Sequence, residues 1–140
     1  EQFTVEQNIA MPFTLEVDPV PAGVKAQVAA LAEEVKLAPD ALSLQVGRAD
    51  PELKVRVRMA RALALGPRLL VAEHPSATLP RASVPAVARD LARIAASRRL
   101  AVLALTADEA FAGALGGQVL RHEGATGALK AQGFWRKLFS

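Results

Sequence analysis

At 140 residues with a formal net charge of +3, the chain is sized for one domain, able to bury roughly two-thirds of the surface its unfolded form exposes. It has no cysteine, which excludes a disulfide framework and a thiolate metal site and leaves the redox compartment unread. No run reaches the ~18 apolar residues that a spanning helix needs, and with aromatics at 4% and no tyrosine the core is expected to be aliphatic.

The first residues lack a basic region followed by an apolar core, so no signal peptide is expected, and the missing initiating Met suggests a processed or partial product. Phe3 to Pro12, FTVEQNIAMP, reads as a short helix capped by Thr4, with Gln2 an ordinary surface side chain. Pro19-Val20-Pro21-Ala22-Gly23 is a break. Val24 to Leu37 then follows as an amphipathic helix with Val24, Val28, Leu31 and Val35 on one face. Ala38 to Ala49, with Pro39, Asp40 and Gly47, reads as an irregular connection.

Asp50-Pro51 marks a helix start, because the Asp side chain can accept from free N–H groups of the first turn while Pro sits where no N–H is needed. Gly66-Pro67 ends that helix. Lys54 to Met59 alternates polar and apolar, which alone would score as a strand. The two caps and the helix-forming Ala60 to Leu65 overrule it, placing Leu53, Val57, Ala60 and Ala64 on one stripe and Lys54, Arg58 and Arg61 on another. Leu69-Leu70-Val71-Ala72 is a continuous apolar run, expected of a parallel strand covered on both faces. It ends in Glu73-His74-Pro75, at the carboxyl end where open α/β sheets place ligand chemistry.

Ser83-Val84-Pro85 starts a further helix with Val84, Val87, Leu91 and Ile94 inward and Arg89, Arg93 and Arg98 outward. Leu100 to Leu105 reads as a second buried strand, completing a right-handed βαβ unit with parallel strands. Thr106-Ala107-Asp108-Glu109 reads as a capping box for a short helix to about Leu115, closed by Gly116-Gly117, and Gln118 to His122 as a third, edge-like strand. There is no internal repeat or low-complexity segment. The last ten residues change character: Phe134, Trp135, Leu138 and Phe139 gather beside Arg136 and Lys137. That composition suits docking on a membrane surface or a partner subunit, and equally a tail that packs on its own domain.

Arg56 to Leu63, RVRMARAL, followed by Pro67 to Pro75, PRLLVAEHP, resembles the nucleotide-binding domain of ABC transporters. In that family a signature loop L-S-G-G-Q or L-S-P-G-E opens a helix ending R-V-x-L-A-R-A-L, followed by x-P-x-L-L-L-x-D-E-P and a loop S-A-L-D. Phe3 to Pro12 is similar to the family's L-T-V-x-E-N-V-x-L-P segment. The resemblance covers the C-terminal portion of such a domain. It implies an α/β, partial P-loop NTPase-like fold, with a short parallel sheet flanked by helices and a small helical subdomain at about residues 5–65. The ABC-ATPase-like domain would then run over 1–130 without its phosphate-loop half, and 131–140 would form an aromatic and basic tail.

Hydrolysis in this family needs a Gly-rich phosphate loop with its Lys, a Mg²⁺ partner, a carboxylate that positions water and a His at the γ-phosphate. The loop G-x-x-x-x-G-K-[ST] is missing, and no Lys is followed by Ser or Thr. The signature position falls on Ala49, Asp50, Pro51, Glu52 and Leu53, where two carboxylates replace donors and would repel a phosphate. Helix capping and the helix dipole account for both without a ligand. Glu73 takes the place of the Mg²⁺-associated Asp and would serve as an outer-sphere ligand if a phosphate site existed. His74 stands for the catalytic Glu; it can act as a base near neutral pH but lacks a fixed negative charge. Ala77-Thr78-Leu79-Pro80 lacks the family's closing Asp, and the switch His falls on Ala107. His122 has no metal-site spacing to His74.

The expectation is therefore a degenerate ABC-ATP-binding-domain-like protein with no intact catalytic, cofactor or metal residues, acting as an interaction or regulatory module of a transport system. The alternative is a fragment whose missing N-terminal half supplies the nucleotide site. ATP and Mg²⁺ are expected only if that half or a partner brings the phosphate loop. Expected partners are a second copy or an ABC ATPase or permease, with Phe134, Trp135, Leu138 and Phe139 as candidate docking residues and a membrane surface as a further contact. Nucleic acid is not expected, because the aliphatic interleaving of Lys54, Arg56, Arg58 and Arg61 is that of the family's own signature helix. The resemblance implies a cytoplasmic location, at or near the inner membrane.

Overall fold

Thr4 starts the first helix, α1 (Val5–Ala10), by a reciprocal capping box: its Oγ1 accepts from the Gln7 N–H at 3.2 Å, and Gln7 Oε1 accepts from the Thr4 N–H at 2.9 Å. The computed structural model describes residues 2–131; Phe134, Trp135, Leu138 and Phe139, with the docking role expected of them, lie outside the described residues. Helix α2 (Ala22–Glu34) begins two residues earlier than expected, directly after Pro21, and buries Val28 and Leu31 along its apolar face, with Val35 continuing it at the C-cap. Lys36 then takes a left-handed conformation, φ 58°, and Leu37 returns to the core with its N–H on the Ala32 carbonyl at 2.8 Å.

The connection over 38–49 is more ordered than its composition suggests. It forms two 3-10 turns, Pro39–Ser43 and Val46–Arg48, and is tied to α1 by an antiparallel bridge between Thr4 and Gln45 and by the Val5 N–H on the Leu44 carbonyl. Helix α3 (Pro51–Ala64) starts at the expected cap, with Asp50 Oδ1 accepting from the Leu53 N–H at 2.8 Å. Its buried stripe is Val57, Met59, Ala60 and Leu63, joined by Arg56, while Leu53 and Ala64 sit only half-buried at its margin. Gly66, at φ 59°, turns the chain out of the helix.

Strand β1 (Leu69–Glu73), helix α4 (Val84–Arg98) and strand β2 (Ala101–Leu105) form the expected βαβ unit, the strands parallel with Leu69 beside Ala101 and Glu73 beside Leu105. Val84, Val87, Leu91 and Ile94 are all buried, as the periodicity of α4 requires. Leu100 closes α4 instead of opening the strand: its N–H bonds the Ala95 carbonyl at 2.8 Å, with Arg99 left-handed at φ 53°.

Two expectations are corrected here. The strands are not covered on both faces: Leu70, Val102 and Ala104 pack on the core, but Leu69, Val71, Leu103 and Leu105 are each 50–55% exposed. The segment 118–122 is not an edge of this sheet either. Its strand β3 (Leu120–His122) pairs antiparallel with β4 (Leu129–Ala131) in a separate hairpin. Between β2 and β3, helix α5 (Glu109–Leu115) is capped by Asp108 rather than Thr106, since Asp108 Oδ1 accepts from the Ala110 and Phe111 N–H groups. Phe111 packs in the core at 1% exposure.

Buried residues of all five helices form one cluster, among them Val5, Ile9, Val28, Leu63, Ile94 and Phe111. The chain is thus mixed α/β, with a small two-stranded parallel sheet and flanking helices. No helix among the described residues is long and apolar enough to cross a membrane.

Candidate functional site

The parallel register brings the ends of β1 and β2 side by side, so the turns that follow them must share space. His74 leaves β1 with its N–H on the Leu105 carbonyl at 2.9 Å and a left-handed backbone, φ 45°, which costs a non-glycine residue about 1 kcal/mol. That sharp bend is followed by a turn in which the Ala77 N–H reaches the His74 carbonyl. The turn faces Thr106 and Ala107 across a cleft of about 440 Å³. His74 and Ala107 therefore line one cleft. Glu73 is exposed at the strand end and does not line it. The His74 ring makes no hydrogen bond among the described residues, so no partner orients or activates it as a base.

The group that organises the cleft is one the sequence did not single out as such. Asp108 Oδ2 accepts from the Ser76 hydroxyl at 2.8 Å and from Arg81 at 3.0 Å, while Oδ1 caps α5. The Ser76 hydroxyl, then the Phe111 N–H and the Arg81 charge, hold the Asp108 carboxyl below its usual range. Asp108 thus fastens the turn after β1 to the turn after β2. The sequence marked this stretch as a capping box with Thr106 as the cap, and gave no sign of the Asp108 partners 32 and 27 residues away.

The start of α3 lies on a second cleft, of about 430 Å³, to which Asp50, Pro51, Glu52 and Leu53 contribute together with Pro80. Ala49, beside them, is buried. Neither carboxylate is free. Asp50 caps α3, and Glu52 Oε1 accepts from Arg56 Nε at 3.0 Å and from its Nη2 at 2.8 Å. The Ser83 hydroxyl, with Arg56 and against the opposing effect of partial burial, holds the Glu52 carboxyl below its usual range.

Arg56 belongs to neither stripe read from the sequence; it is 7% exposed and donates from Nη1 to Asp90 at 3.0 Å and to the Val35 carbonyl at 2.8 Å. Lys54 donates to the Gly47 carbonyl, which leaves Arg58 and Arg61 as the exposed cations of α3 without an ion pair among the described residues. His122 is exposed on β3, and no three His, Asp or Glu side chains converge as a metal site among the described residues.

No protein-family model and no curated protein matches the chain.

Proposed function

We propose that this chain is an ABC-ATPase-like module, built on a partial P-loop NTPase-like fold, that does not hydrolyse ATP on its own and works by contact within a transport system. The observation that supports the reading is the strand-end cleft. The positions that resemble a catalytic carboxylate and a γ-phosphate sensor carry His74 and Ala107, and the His74 ring has no partner to activate it. The signature-position carboxylates add to this, because Asp50 and Glu52 are spent on the α3 cap and on Arg56. In this reading the module acts in the cytoplasm, at or near the inner membrane, with a second copy or an ABC ATPase or permease as its partner.

A second reading is favoured by one residue. Glu73 is exposed at the carboxyl end of β1 and makes no hydrogen bond or ion pair among the described residues, so its carboxylate is available to a Mg²⁺–ATP complex held by another half or another subunit.

The two are separated by measuring Mg²⁺-dependent phosphate release and the melting temperature with and without ATP. The first reading expects neither activity nor stabilisation. A rise of several degrees with ATP, abolished by Glu73→Gln, overturns it in favour of the second.

A further inference from the structure

Where α1 and α3 end, they leave a groove of about 450 Å³ between them, lined by Met11, Pro12, Arg58, Arg61, Ala62 and Leu65. Met11, Pro12 and Ala62 are half-buried and Leu65 is 73% exposed, so much of the lining is apolar. Arg58 and Arg61 are exposed and have no ion pair among the described residues. Such a groove suits an apolar side chain that brings a carboxylate with it. The chain presents that pair three residues beyond Pro12. Leu15 is 98% exposed, more than any other large hydrophobic side chain among the described residues, and Glu16 beside it is exposed and has no ion pair among them. The loop is held in this form. Phe13 and Val17, on either side, pack against the core, and the Glu16 N–H donates to Thr14 Oγ1 at 3.0 Å, which keeps Leu15 off the surface of its own copy.

We propose that the occupant of the groove is Leu15, with Glu16, of a second copy of this chain. Three residues of extended chain span at most about 10 Å, so the projecting Leu15 and the groove beside Pro12 are neighbours on one copy. A projection next to a recess that accepts it is self-complementary about a two-fold axis. Each copy gives its Leu15 to the other and receives one in return, and the contact closes at two. Charge agrees with shape, because Glu16 of each copy arrives at the unpaired Arg58 and Arg61 of the other. Both exchanges take a fully exposed leucine and part of Leu65 out of water. The contact is small beside the roughly 1,200 Å² of a standard interface, so the dimer is weak, with Kd on the order of 10 µM or above. The exchange depends on the α1 and α3 ends and not on the ABC-like reading, so oligomeric state tests the one and ATP the other.

Sedimentation equilibrium of the full chain, from about 5 to about 500 µM, should show a reversible monomer–dimer equilibrium that goes no further. Leu15→Ser, at a position 98% exposed, should raise Kd about tenfold or more without touching the fold. Arg58→Glu combined with Arg61→Glu, and separately Glu16→Arg, should each weaken the dimer by a similar factor, because like charges then meet at both contacts. An equimolar mixture of those two proteins should restore it, since in the mixed dimer opposite charges meet at both. Leu103→Ser, on the open face of the sheet, should leave the equilibrium unchanged. Circular dichroism confirms that each variant folds. A monomer across the whole range overturns the proposal and leaves the groove to an acidic partner of another kind. Association that continues past two overturns it, as does a mixture of charge variants that stays monomeric. A dimer that survives Leu15→Ser and is lost with Leu103→Ser overturns it in favour of pairing through the sheet face.

Discussion

Arg56 and Asp90, 34 residues apart, meet at 3.0 Å with side-chain exposures of 9% and 6%. Arg56 also holds Glu52 and the Val35 carbonyl, and Lys36 reaches the other oxygen of Asp90 at 2.6 Å. The end of α2, the first turns of α3 and the middle of α4 are thus joined through one guanidinium and one carboxylate. Removing one member of a buried pair strands the other, so Asp90→Ala is expected to cost ~3 kcal/mol. Arg56→Met combined with Asp90→Leu should cost much less than the sum of the single changes. Urea midpoints for the four proteins of this cycle measure the coupling.

The same carboxylate sets an acid limit. Burial pushes Asp90 up, but the hydrogen bonds and charges of Lys36 and Arg56 outweigh it and hold the group below its usual range. Glu52 is lowered by Ser83 and Arg56. A depressed folded-state pKa gives stability that is present above the unfolded value, about 4, and is lost as pH falls through the folded value. Unfolding free energy should therefore drop below pH ~4, and Asp90→Asn should flatten that drop while lowering stability near neutrality. Urea titrations at stepped pH decide it.

Asp50→Ala should cost about 1 kcal/mol through loss of the α3 cap, and Asp50→Ser should recover most of it. If instead the residue served only to repel a ligand, both variants would melt like the unmodified protein.

His74 offers a backbone test. Because its φ is 45°, His74→Gly should be neutral or stabilising, by up to about 1 kcal/mol, whereas a β-branched Val should lose about 1 kcal/mol or more. Thermal melts compare the two. A clear loss on His74→Gly would show that the imidazole itself supports the fold.

What was readable in the sequence was local. Thr4 and Asp50 announced their caps within three residues, and the Leu69 and Leu100 regions announced strands by a run of apolar side chains. Such a run gives no sign of how many faces are covered, so the bare side of β1 and β2 was missed. Thr106 and Asp108 both suit an N-cap, and only the bonds to Ala110 and Phe111 decide for Asp108. Strand β4 escaped notice because all three of its residues are exposed and carry no pattern. The pairing of Arg56 with Asp90 depends on helix packing rather than on sequence neighbours. One sign was available: Asp90 falls three residues after Val87 and beside Leu91 on the apolar stripe of α4, and an acid there demands a buried cation.

Leu79 to Arg81 border both clefts, Leu79 and Arg81 lining the one at the strand ends and Pro80 the one beside α3. Leu79 is anchored in the core, Pro80 has a fixed φ, and its carbonyl accepts from the Ser83 N–H at 2.9 Å, so these residues act as a stiff partition. The two clefts therefore have one stretch of chain as their common wall.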